Sequence, residues 1–230
     1  MTDINEKRES ERSEALHTTA KIVSGLLPGG GSVYELFTAI VKPLHEKRRE
    51  DWVREVTLQL HKLENEGRIN MEQLSENEEF ITVITKATIL AQQTHQEEKI
   101  EALRNVVLNF ATKNPALNLD YETNDYFLSV LDSMNEIHIV LLKLFGDPQS
   151  MLSKQNSSNQ HYSSPKKLLY QLQPSFRAKD NLIDIFWKNL FEYGLVEERT
   201  LNEISSLESV YKSKLTNLGK KFLEMIESEE

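Results

Sequence analysis

A chain of 230 residues with 27 Lys and Arg against 36 Asp and Glu, a formal charge of −9 and no cysteine excludes several classes at once. It has no disulfide framework, thiolate nucleophile or Cys-ligated metal site, and its acidic balance argues against nonspecific coating of nucleic acid while leaving room for a local basic patch. Only 8 Gly and 6 Pro stand among abundant Leu, Glu, Lys and Gln, the profile of a mainly α protein long enough for one large domain or two small ones.

Residues 1–12 are charged, carry no signal-peptide core and read as a disordered tail. A reducing cytoplasm is the expected location. Leu16, Thr19, Ala20, Val23, Leu26 and Leu27 mark one face of a first helix that stops at Pro28. The apolar run Ile22 to Tyr34 is too short to span a bilayer and is broken by Pro28-Gly29-Gly30-Gly31. No strand precedes that glycine run and no Gly-Lys-Ser/Thr follows it, so it reads as an interhelical turn and not as a phosphate loop.

Ser32 caps a second helix whose stripe runs from Val33 through Ile40 and Leu44 to Trp52, Val56, Leu60 and Leu63, with Pro43 as a kink or a restart and Gly67 as the stop. Lys47, Arg48 and Arg49, with Lys42, His45 and Arg54, make this helix a candidate anion-binding patch. Its partner is a membrane, a nucleic acid or the acidic Glu72 to Glu79 segment. Asn70 to Leu74 reads as a turn.

One long central helix is expected from Ser75 to Ala111, opened by a Ser75-x-x-Glu78 capping box. Phe80, Ile84, Ala87, Ala91, Leu103, Val106, Val107 and Phe110 form its apolar stripe. Gln93 to Lys99 interrupts that stripe, putting Thr94 and Glu98 on the otherwise buried face with His95 beside them. His95 and Glu98, three residues apart, would be half of a metal or acid/base site. Without a second set elsewhere, the simpler reading pairs Glu97, Glu98 and Glu101 with Lys99 and Arg104, or offers Thr94, His95, Glu97 and Glu98 to a partner.

After a loop from Pro115 to Thr123, Phe127, Val130, Leu131, Met134, Leu141, Leu142 and Phe145 predict a single helix closing at Gly146, with His138 in its core face. Met151 to Ser164 reads as a linker or surface loop. The domain division is therefore a bundle over 13–150, a linker over 151–164 and a carboxy-terminal module over 165–230.

In that module Ser164-Pro165 caps a helix bearing Leu168, Leu169 and Leu172, and Asp180 opens another with Leu182, Ile183, Ile185, Phe186 and Leu190, stopped by Gly194. Leu195-Val196 and Val210 to Leu215 are expected to pair as two strands, and Thr216 to cap a final helix. The segments Asn189-Leu190-Phe191-Glu192-Tyr193-Gly194-Leu195-Val196 and Lys214-Leu215-Thr216-Asn217-Leu218-Gly219-Lys220-Lys221-Phe222-Leu223 resemble the end of a winged-helix domain, in which Gly-Leu-Val precedes a wing hairpin and Leu-Thr-x-x-Gly-x-x-Phe-Leu starts the closing helix. That resemblance implies a docking or DNA-binding module, with Lys212, Lys214, Lys220 and Lys221 as candidate nucleic-acid contacts. Between Pro165 and Leu223 ten Lys/Arg face seven Asp/Glu, an excess of three that predicts only weak, salt-sensitive DNA binding.

Upstream, Leu27 to Phe37, Lys47 to Trp52 and Thr94 to Asn105 are similar to bacterial helical proteins of unassigned function, faintly of the abortive-infection Abi-alpha type. This resemblance implies an architecture and a setting in phage defence, and no catalytic residues. The sequence thus leads to a non-enzymatic interaction or adaptor protein, with a protein partner or self-association. A winged-helix DNA-binding regulator is the first alternative, and a membrane-acting effector that inserts residues 22–41 the second. No catalytic, metal or cofactor residue is assigned, and the sequence is silent on small molecules.

Overall fold

The ends of the helices show where the sequence pattern holds and where it gives way, in a computed structural model that describes residues 46–112, 120–154, 163–203 and 206–228. The expected tail, the first helix, the glycine turn and the start of the second helix lie outside those residues, as do 113–119 and 155–162 of the expected loops. The described residues are mainly helical, with no strand among them. None of their helices is long and apolar enough to cross a membrane.

Helix α1 (Glu46–Asn65) buries Trp52, Val53, Val56, Leu60 and Leu63 along one face. It closes as expected near Gly67, whose φ of 71° lets the Arg68 N–H reach the Leu63 carbonyl at 2.9 Å and the Gly67 N–H reach that of Glu64 at 2.9 Å. The residues expected to form a turn are instead helix α2 (Met71–Glu76), because the Asn70 side chain accepts from the Gln73 N–H and nucleates it.

The expected single central helix is two helices, α3 (Glu78–Gln93) and α4 (Glu97–Ala111). Its cap is Asn77, which accepts from the Phe80 N–H at 3.1 Å, while the Ser75 hydroxyl donates to the Glu72 carbonyl inside α2. At the other end Thr94 is extended (φ −114°, ψ 155°), and the paired acids Glu97 and Glu98 open α4, where a helix N-terminus favours negative charge. The polar residues that interrupt the stripe are thus a break in the backbone.

The next expected helix also divides, into α5 (Tyr121–Ser133) and α6 (Glu136–Gly146). Asn135 caps α6 by accepting from the backbone of Ile137 and His138, and the His138 Nδ1 accepts from the Asn135 N–H in return. Helix α7 (Pro148–Lys154) takes the first residues of the expected linker. Helix α8 (Pro165–Leu172), a 3-10 helix (Pro174–Lys179) and α9 (Asp180–Glu192) follow. The two expected strands reduce to one antiparallel bridge between Val196 and Leu215, since Leu207–Tyr211 is helix α10, capped by Ser206. Thr216 caps the final helix α11 (Asn217–Ile226) through the Gly219 N–H at 2.9 Å, as the sequence predicts.

Two compact units result, one made of the described residues of Met1–His95 and Leu103–Tyr121, the other of those of Gln96–Ala102 and Glu122–Glu230. In the first, α3 packs against α1 and α2. The Trp52 indole donates to Thr88 Oγ1 at 3.1 Å and that hydroxyl donates to the Ile84 carbonyl at 2.6 Å, so the buried polar pair is satisfied. Arg104 reaches Glu55 at 2.5 Å.

In the second unit α6 packs against α9 and α11. Phe145 meets Trp187 edge-on at 5.0 Å, and Phe127 meets Phe222 at 5.1 Å. The α5–α6 corner is held by the first turn of α4. Lys99, expected to pair with Glu97, Glu98 and Glu101, is buried instead, and its ammonium donates to the carbonyls of Asp132 and Met134 at 2.7 and 2.8 Å. The Gln96 side chain accepts from the Glu136 N–H at 3.1 Å. Burial lowers the Lys99 pKa, and the nearby Asp132 partly restores it. Replacing Lys99 by Met strands both carbonyls and is expected to cost roughly 2 kcal/mol. Urea unfolding should register that loss, and amide exchange should quicken at residues 131–136 before it does elsewhere.

Candidate functional site

The four residues expected to form a partner surface are separated by the helix break. Thr94 ends α3 half-buried and His95 is exposed, both in the first unit, while Glu97 and Glu98 begin α4 in the second. His95 and Glu98 therefore do not share a helix turn, which removes the geometry required of a half-site. No group of His, Asp or Glu among the described residues is placed to hold a metal ion.

Glu98 does have a distinct setting. Its carboxylate is 3.2 Å from the Lys143 ammonium, with the two side chains 36 and 25 % exposed. Both residues line a cleft of about 220 Å³. Val140 and Leu144 from α6, Met151 from α7 and Leu172 at the end of α8 give it an apolar lining, with Gln173 beside them. Lys143 escaped sequence reasoning. The signal was a lone charge within the apolar run Ile137 to Phe145.

The basic candidates divide in the same way. Lys212, Lys220 and Lys221 are exposed, whereas Lys214 is 3 % exposed and ion-paired with Glu198 at 2.6 Å. Lys214 thus braces the segment after α9, where the Trp187 indole also donates to the Glu198 carbonyl at 2.8 Å. On α1, Arg48 is exposed and Arg49 half-buried, and Arg54 pairs with Asp51 one turn back. The Lys47 side chain lies outside the described set.

Helices α8 and α9 are locked by a polar cluster. The buried Lys166 donates to Asp180 at 2.8 Å and to Asp184 at 2.7 Å, and the Tyr170 hydroxyl also meets Asp180. Burial opposes the Lys166 charge, but the hydrogen bonds to the two aspartates outweigh it and raise its pKa. Burial, then the bond to Asp180, pushes the Tyr170 hydroxyl up to about 12, so it remains a protonated donor.

Beyond that lock, α9 turns an unusual face outward. Ile183, Trp187 and Leu190 are buried as the apolar pattern predicts, but Leu182 and Ile185, from the same run, are 47 and 53 % exposed. Charged side chains on this helix are Asp180, Asp184 and Glu192 against Lys188. Comparison with protein families, characterised proteins and solved structures gives no match to this chain.

Proposed function

We propose that this protein is a non-enzymatic interaction protein whose carboxy-terminal helices form a winged-helix-like docking module, and that it associates with a second copy of itself through the outer face of α9. The observation that carries this reading is the exposed pair Leu182 and Ile185, one turn apart on a helix that buries Ile183, Trp187 and Leu190 along its other side. An antiparallel copy of α9 would set Ile185 against Ile185 and Leu182 over the Lys188 stem, and would bring the acidic amino end of each helix to the lysine near the carboxyl end of the other. The module reading is supported by the order α8, 3-10 helix, α9, a bridged segment that contains α10, and α11, together with the winged-helix resemblance of the sequence. The Abi-alpha resemblance supports a cytoplasmic role in phage defence.

A DNA-reading role fits this helix less well. Three carboxylates against one lysine would approach phosphates. The exposed Lys212, Lys220 and Lys221 are the observation in its favour.

Sedimentation of the full chain decides. The wild type is expected to run as a dimer and Ile185→Glu as a monomer with unchanged circular dichroism. A monomeric wild type would remove self-association. Salt-sensitive binding to labelled duplex DNA, lost when Lys212, Lys220 and Lys221 are changed to Glu, would instead establish the DNA role.

A further inference from the structure

We propose that the cleft lined by Glu98 and Lys143 binds a free α-amino acid with an aliphatic or thioether side chain, its ammonium on Glu98 and its carboxylate on Lys143. Three observations lead there. The first is size: at about 220 Å³ the cleft is smaller than the ~300–1,000 Å³ of typical cofactor and drug sites, and suits a ligand of amino-acid size. The second is its lining, since Val140, Leu144, Leu172 and Met151 offer an aliphatic side chain apolar surface to pack against.

The third is charge. Opposite groups stand 3.2 Å apart at the same cleft, partly shielded from water. A zwitterion carries its own ammonium and carboxylate on adjacent carbons, and so completes a square of alternating charges without breaking the Glu98–Lys143 pair. A ligand with a single charge would satisfy one corner and oppose the other. As a structural element alone, a partly exposed ion pair contributes little, which does not explain a lysine placed within the apolar run of α6. The cleft shares no residue with the outer face of α9, so this inference and the self-association reading stand or fall separately.

The test titrates L-leucine into the full chain by calorimetry or by amide chemical shifts. Isocaproate and isoamylamine run in parallel as analogues that keep the chain but only one charge. Saturable L-leucine binding is expected, at least tenfold tighter than either analogue. It should weaken at least tenfold in Lys143→Met and in Glu98→Gln, and vanish in Met151→Trp, which fills the cleft from a half-buried position. Folded wild type that shows no saturable leucine binding overturns the proposal. So does an analogue that binds as well as leucine, or a Met151→Trp variant that binds undiminished.

Discussion

Gly219→Ala is expected to destabilise the second unit by at least about 3 kcal/mol, near the upper end of what overpacking costs. A Cβ at this position would lie 1.9 Å from the Leu195 carbonyl oxygen and 2.8 Å from its carbon, both backbone atoms that cannot rotate aside. Nor can Leu195 easily retreat. Its N–H reaches the Leu190 carbonyl at 3.0 Å in the turn that closes α9 around Gly194 (φ 69°), and its carbonyl accepts from the Thr216 N–H at 3.1 Å. Relief therefore requires α11 to lift away, weakening the Thr216 hydroxyl's 2.6 Å bond to the Gly194 carbonyl as well. Gly146→Ala supplies the control, since its Cβ would meet the Leu223 side-chain tip at 2.6 Å, which can swing aside. About 1 kcal/mol is expected there. Urea midpoints for the two variants should differ clearly, and similar midpoints would mean that α11 does not approach Leu195 so closely.

The second large effect is on pH. His138 is 2 % exposed, its Nδ1 accepts from the Asn135 N–H, and its ring lies 4.6 Å from that of Phe186. Burial, helped by the positive charge of Lys99, lowers its pKa from 6.5 to about 4. As pH falls below 6.5 the unfolded chain takes up a proton that the folded protein refuses until about pH 4. This group's contribution is therefore fully present above pH 6.5, falls away between 6.5 and 4, and is constant below that. The loss is roughly 3 kcal/mol at the usual value per pKa unit. His138→Gln keeps an acceptor for the Asn135 N–H and removes the titration. Denaturation at a series of pH values should show the wild type losing that much more stability than the variant over this window. Parallel curves would mean that His138 takes up its proton at the same pH in the folded and unfolded states.

Much of the helix content was legible because burial follows spacing. Leu168, Leu169 and Leu172, or Val106 and Val107, are buried where the apolar period puts them. The break between α3 and α4 was legible only indirectly: Gln93 to Lys99 interrupts the stripe and Leu103 falls about 120° out of phase with Ala91 on a continuous helix, but a polar interruption with no Gly or Pro in it reads equally as a partner surface on one unbroken helix. At the amino end of α3, Ser75 and Asn77 were both chemically able to cap, and the choice fell to Asn77 once α2 had used the Ser75 hydroxyl. The candidate site was half legible. Glu98 showed itself as a polar residue on a core-facing stripe, but its partner Lys143 lies 45 residues on, and no local pattern joins them. Leu182 and Ile185 read as core because a period cannot tell a buried stripe from a wider apolar face that is only partly covered.

The Lys99 and Gln96 contacts at the α5–α6 corner bear on how the chain is made and how it can be cut. A polypeptide emerging from the ribosome presents α4 before α5 and α6, so the donor and acceptor that finish the corner are already waiting when it forms. A recombinant fragment that begins at Glu122 would carry every helix from α5 onward and still leave the Asp132 and Met134 carbonyls and the Glu136 amide without those partners. A stable carboxy-terminal half therefore has to start ahead of Gln96, inside what chain order alone would assign to the amino-terminal half.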